Sequence, residues 1–288
     1  MKKTNLIFLV IAMIAAGNFS SCKKGVANPE PFVFYKVSVD GATVTFTNES
    51  KGAASYEWDF GDGTTSTEES PTHTYPGKGK YVPTLYATAA NGIQAEASTV
   101  LHIAKTTAIK LDDNTVSDWD TVTHNVVVAG PNSGNFIKAK YDYDANYVYV
   151  YFEQNTTEAA GNIYDLYIDA DNDISTGYLT GEIKNGGYEV LLEGTILGDW
   201  LDPYYFAGTD QAAFSYDPQS INEFYKTGTV QQDGPVQKFE FAISRSKIRG
   251  LTGSGLKIGV QVAANDWSAI IGYSPDQNSD AFYLNMSE

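Results

Sequence analysis

The sequence predicts an all-β chain in two domains, on three observations. Runs of alternating apolar and polar residues recur along it, among them "ATVTFTN", "YVYVYFE", "YEVLLEG", "FEFAIS" and "LKIGVQVA", each bounded by Gly, Asn, Asp or Pro. No stretch keeps helical periodicity for more than a turn or two beyond the amino terminus. Tyrosine, with 20 of the 288 residues, suits half-buried pleated faces. The length exceeds that of a typical single domain, so two are expected.

Residues 1–21 read as a processing signal. Lys2 and Lys3 precede "LIFLVIAMIAA", an apolar run of 11 residues. Spanning a hydrocarbon core of about 30 Å takes roughly 20 residues, so this run is too short for a transmembrane helix. "GNFSSC" follows, ending at Cys22, the single cysteine of the chain. The segment resembles a bacterial lipoprotein signal, although Phe19 stands where Leu is more usual. The resemblance implies cleavage before Cys22, a lipid on its thiol, and an outer-membrane lipoprotein exposed at the cell surface. With that thiol used, no disulfide forms and burial alone must hold the fold.

Loss of residues 1–21 would remove two lysines and take the formal charge from −16 to −18. Such a surface repels nucleic acid and anionic polysaccharide and disfavours anionic lipid. A neutral glycan is the partner class least affected. Membrane contact is therefore expected through the lipid anchor only.

Residues 22–31, "CKKGVANPEP", are polar with two prolines and read as a leash behind the lipidated cysteine. Residues 32–105 follow as the first domain. In "YEWDFGDG", Tyr56, Trp58 and Phe60 share one face of a strand while Glu57 and Asp59 share the other. Gly61 and Gly63 supply the positive-φ positions of a tight turn. The series "WDFGDG", "PTHTY", "GKY" resembles the PKD domain, which implies a small immunoglobulin-like β-sandwich. Pro83 departs from that family's pattern and is expected at an edge or bulge. Asp59 and Asp62 flank the turn and are read as bonding backbone amides, not as a catalytic pair. His73, His102 and His124 have no ligand-like spacing, which argues against zinc and against a His-based triad.

Residues 106–288 are long enough for one large sandwich. Asp144 to Asn146 read as a hairpin turn. On its return strand Val148, Val150 and Phe152 point one way, and Tyr147, Tyr149 and Tyr151 the other. The order "DDNTVSDWDTV", "YDYDANYVYVYFE", "YDLYIDADNDISTGY", "FEFAISRS" is similar to family-9 carbohydrate-binding modules and their looser relatives. That resemblance implies a jelly-roll-like β-sandwich and sugar binding.

In "YIDADNDISTGY", Asp169, Asp171 and Asp173 fall at every second position. The EF-hand pattern fails, because Ile174 stands where Gly is needed and Thr180 where a bidentate Glu is needed. Three readings stay open. The stretch is a hairpin tip whose acids bond turn amides, a structural calcium site of Asp169, Asp171 and Asp173, or part of a catalytic carboxylate cluster. The remaining acids read as scattered among turns, with none marked as buried in an apolar run. No cofactor beyond that calcium is expected.

Glycan sites combine an exposed flat ring with amide, carboxylate or Arg partners. Trp119 is expected in the core. Trp200, Tyr204 and Tyr205 lie in "GDWLDPYYFAG", read as a loop that cannot bury all its rings. Trp267, beside Asn265 and Asp266, follows a strand and precedes a loop. Arg245 and Arg249 are read as capping a strand exit. The expectation is a surface glycan-binding lipoprotein with the PKD unit as spacer, working beside an outer-membrane transporter. The alternatives are an adhesion or assembly protein and, less favoured, a glycoside hydrolase.

Overall fold

The computed structural model describes residues 30–198, 200–252 and 254–287. Cys22, the signal and most of the leash lie outside the described residues. No helix among the described residues is long and apolar enough to cross a membrane.

The first nine strands are β1 (Tyr35–Asp40), β2 (Thr43–Asn48), β3 (Ser55–Asp59), β4 (Thr65–Ser66), β5 (Thr72–Thr74), β6 (Gly79–Tyr81), β7 (Thr84–Thr88), β8 (Gln94–Ser98) and β9 (Leu101–Ile103). They form sheets in the orders β1-β2-β5, β4-β3-β7-β8 and β6-β9. Alternation sends Phe46, Trp58, Tyr75, Leu85 and Ile103 into one core. The Trp58 indole donates to Glu68 O at 3.0 Å, so this buried polar group is paired. Pro83 sits immediately before β7, outside the ladder its missing N–H would break.

The turn after β3 matches its sequence reading. Gly61 and Gly63 have φ of 78° and 89°. Asp59 accepts the Gly61 N–H at 2.8 Å, and Asp62 accepts from the Thr64 backbone at 3.0 Å and from His73 Nε2 at 2.7 Å. His73 stacks on Phe60 with ring centroids 4.1 Å apart.

The next twelve strands build a larger sandwich. They are β10 (Val126–Val128), β11 (Phe136–Tyr143), β12 (Tyr147–Asn155), β13 (Ile163–Asp169), β14 (Val190–Gly194), β15 (Leu201–Phe206), β16 (Tyr216–Pro218), β17 (Tyr225–Asp233), β18 (Val236–Ser244), β19 (Gly255–Ala263), β20 (Ile270–Ser274) and β21 (Phe282–Asn285). One sheet runs β10-β11-β12-β18-β17; the other runs β16-β15-β14-β13-β19-β20, with β21 also on β19. Between them lie Val148, Val150 and Phe152 from one side and Leu166, Ile168, Val260 and Val262 from the other. Tyr149 and Tyr151 face outward, where they and Ala242 cover Trp119.

Trp119 is 1% exposed, and its N–H donates to Glu240 Oε2 at 2.7 Å. Glu240 is sealed in the middle of "FEFAI", with its other oxygen accepting Thr229 N at 3.0 Å. This corrects the expectation that no acid lies within an apolar run. Asp165, between Tyr164 and Leu166 on β13, is a second case at 7% exposure.

Candidate functional site

Strand pairing decides which loops meet. Ile163 at the start of β13 pairs with Ala263 at the end of β19, and Tyr164 pairs with Gly194 at the end of β14. The β14–β15 and β19–β20 connections therefore emerge at one end of the sandwich, on either side of the segment that enters β13. A β-carbon placed on Gly161, in that segment, would lie 3.6 Å from Asn265 Cβ, so the segment packs against the β19–β20 connection.

This rim carries both exposed indoles. Trp200 is 38% exposed and Trp267 50%. Trp200 is held at its base: a β-carbon on Gly194 would come within 2.8 Å of the indole Cε3, and Trp200 O accepts Thr195 N at 2.8 Å. Trp267 occupies the tip of a tight hairpin, with φ of 60° and its N–H on Ala264 O at 2.9 Å. A bulky side chain seldom adopts that backbone region, which costs roughly 1–2 kcal/mol for an L-residue. Asp266 Oδ1 closes the same turn by accepting Ser268 N at 3.0 Å.

Beside Trp200 opens a cleft of about 340 Å³ whose lining includes Thr157, Glu158, Asn162, Thr195 and Gln237. Gln237 pairs in register with Gln154 on the neighbouring strand. Both side chains are buried, and their amide nitrogens have no hydrogen-bond partner among the described residues. The Gln154 carbonyl is taken by the Tyr164 hydroxyl at 2.7 Å. A ring-sized surface thus stands beside a cleft lined by polar side chains, Asn162 and Thr157 among them, which suits a ligand with an apolar face and hydroxyl edges.

Tyr204 and Tyr205 do not join this rim. "LDPYYF" is strand β15, not a loop, so consecutive side chains go to opposite faces. Tyr204 packs with Tyr167, Tyr188 and Leu191 on the outer face, and Tyr205 stacks under Arg249 at 4.3 Å while its hydroxyl donates to Lys247 O. Arg249 donates to Phe206 O, and Arg245 to Asp144 O, near strand exits as expected.

The acidic run is also rearranged. Asp173 is exposed, and its Oδ1 accepts both the N–H and the hydroxyl of Ser175 at 2.8 and 2.7 Å. Its place beside Asp169 and Asp171 is taken by Glu189, which precedes β14, and one oxygen from each of these three lies within 4.8 Å of the others. Burial pushes the Glu189 carboxyl up to about 7, against the Thr176 and Ala170 bonds that favour its charge. The segment is a long excursion, residues 170–189, instead of a hairpin tip.

One further acidic pair escaped the sequence reading. Asp165 faces Glu193 across β13 and β14 on the outer face of the sheet. Burial, then the Glu193 charge, pushes Asp165 up to about 7, and burial also raises Glu193. The available signal is an acid flanked by Tyr and Leu inside "IYDLYID".

The architecture is an all-β chain in which a PKD sandwich precedes a larger β-sandwich. Residues 29–104 match the PKD domain family. Over 63 residues the chain is 40% identical to a microbial collagenase of Vibrio alginolyticus, a match covering 20% of this chain and 8% of that protein. The PKD1 domain of Vibrio anguillarum Epp is 30% identical and covers 26% of this chain and 95% of its own, with a TM-score of 0.26. A structure described as a promiscuous carbohydrate-binding module of the β-sandwich superfamily covers 85% of this chain and 98% of its own. It is 17% identical with a TM-score of 0.29, values that bear on no ligand.

Proposed function

We propose that the protein is a non-catalytic glycan-binding protein whose larger sandwich holds a neutral polysaccharide or oligosaccharide at the Trp200–Trp267 rim. The observation that carries this reading is the pair of exposed indoles on the two loops that flank the segment entering β13, one of them bordering the Gln237 cleft. Pyranose rings offer apolar C–H faces to such indoles, while Asn162 and Asn265 offer amides to the hydroxyls. The PKD domain acts as spacer. The likeness of the larger unit to family-9 modules, the lipid on Cys22, a place on the outer surface and work beside an outer-membrane transporter all belong to the same proposal. The net charge of −16 favours a neutral glycan over nucleic acid.

Affinity electrophoresis against neutral glucans, xylan and mannan tests the reading. Retardation by at least one polymer, abolished in Trp200→Ala and weakened in Trp267→Ala, is the expected result. Wild-type migration indifferent to every polymer removes it.

A second reading, adhesion or assembly through protein contact, is favoured by the PKD edge. Phe32 and Phe34 stack 6.5 Å apart at 62% and 43% exposure, next to the edge strand β1 with Val37 and Val39 also exposed. Capture of an outer-membrane transporter by the wild type, lost on Phe32→Ser with Phe34→Ser and without any glycan affinity, would favour it.

A further inference from the structure

We infer that Asp169, Asp171 and Glu189 form a site for one calcium-class divalent cation, which closes the base of the 170–189 excursion. The three carboxylates each present an oxygen within 4.8 Å of the other two. Asp169 is fully buried at the end of β13. Its Oδ2 accepts from Lys257 Nζ and from Gly187 N, each at 3.2 Å. Its Oδ1 is sealed from solvent without a hydrogen-bond partner among the described residues. A buried carboxylate oxygen without a donor is costly, and a cation is the direct way to satisfy it. Lys257 is the one cation bonded to the cluster among the described residues, which leaves most of the negative charge uncompensated.

The donor set selects the ion class. Every candidate ligand is oxygen, with neither imidazole nor thiolate, which suits hard cations and not zinc. Thr176 adds a hydroxyl among the same groups, 2.6 Å from Glu189 Oε1 and 3.2 Å from Asp171 Oδ2. Carboxylates from separate segments with an adaptable hydroxyl fit calcium's loose coordination better than magnesium's strict octahedron.

Position gives the role. Asp169 ends β13, Asp171 opens the excursion and Glu189 leads into β14, so an ion bound to all three ties both ends of the excursion to the sheet. The excursion packs closely on itself: a β-carbon on Gly187 would stand 2.1 Å from Thr176 O. It delivers Tyr178 and Tyr188 against Tyr167 on the outer face. The glycan rim lies at the opposite end of β13, about 20 Å away at 3.3 Å per residue. Cation binding and glycan binding are therefore separable.

The test is isothermal titration of EDTA-stripped full chain with CaCl2, MgCl2 and ZnCl2, with thermal unfolding in parallel. One calcium per chain at micromolar to submillimolar affinity is expected, with a rise in Tm of several degrees and weaker magnesium binding. Glu189→Gln and Asp171→Asn should each weaken calcium at least tenfold, and Asp173→Asn should leave it within twofold. Absence of calcium heat at millimolar concentration, with Tm unmoved, overturns the inference. Zinc binding tighter than calcium overturns the ion class, and an Asp173→Asn loss matching that of Glu189→Gln overturns the ligand assignment. Glycan retardation should be the same with CaCl2 and with EDTA, so failure at the rim and failure at this site read out separately.

Discussion

Four tryptophans divide between interior and rim. Trp58 and Trp119 are at most 1% exposed, and each indole N–H has a fixed acceptor, Glu68 O or Glu240 Oε2. Trp200 and Trp267 stand on connections between strands, with between a third and a half of their surface open. Indoles of the first kind hold the sandwiches together; those of the second kind are free to act on something else. The same side chain serves packing where alternation points it inward, and recognition where a turn carries it past the end of the sheet.

The sharpest way to break that contrast is to exchange the expected consequences. Trp119→Ala should cost about 3–5 kcal/mol in denaturant unfolding, because a large ring is lost and the buried Glu240 loses a donor. A loss under about 1 kcal/mol would put Trp119 in the rim class.

The next effect is pH-dependent and comes from the Asp165–Glu193 pair. Asp165 has its folded pKa raised to about 7 by burial, so between its unfolded value and 7 the native state binds more protons than the unfolded chain. Stability from this group is therefore full below the unfolded pKa and declines as pH rises toward 7. At about 1.4 kcal/mol per unit, the loss is on the order of 4 kcal/mol. Asp165→Asn should flatten the decline in Tm between pH 5 and 8. The same variant bears on the hydrolase alternative: reducing-sugar release by the wild type that vanishes in Asp165→Asn would establish an enzyme.

Trp200→Ala and Trp267→Ala should lower glycan affinity by roughly tenfold or more each, while changing stability by under about 1 kcal/mol. Equal losses of stability and affinity would mean that the rim indoles are packing residues. At the smallest scale, Trp267→Gly relieves the positive φ, so it should match or exceed wild-type stability by about 1 kcal/mol while losing glycan.

Two acidic stretches show why part of the site was legible and part was not. In "WDFGDG", Asp59 and Asp62 find their donors within two residues, and the local pattern suffices. In "YIDADND", Asp171 and Asp173 also cap nearby amides, but Asp169 turns inward at the end of a buried strand. Its partner Glu189 arrives only because β14 pairs back onto β13. Likewise "DPYYF" looked like an aromatic loop, yet its pairing with Leu192 and Val190 makes it a strand and sends Tyr204 and Tyr205 apart.

Alternation, turn residues and charge determined from the sequence alone that the chain is all-β, that the PKD turn is built on Asp59, Asp62 and two glycines, and that Trp119 belongs inside. These features depend on neighbours a few positions away, so a linear pattern contains them. The tertiary structure decided which distant groups share a place: Trp200 with Trp267, Gln154 with Gln237, and Asp169 with Glu189. Antiparallel pairing sets those meetings, because register across strands fixes which ends, faces and carboxylates come together.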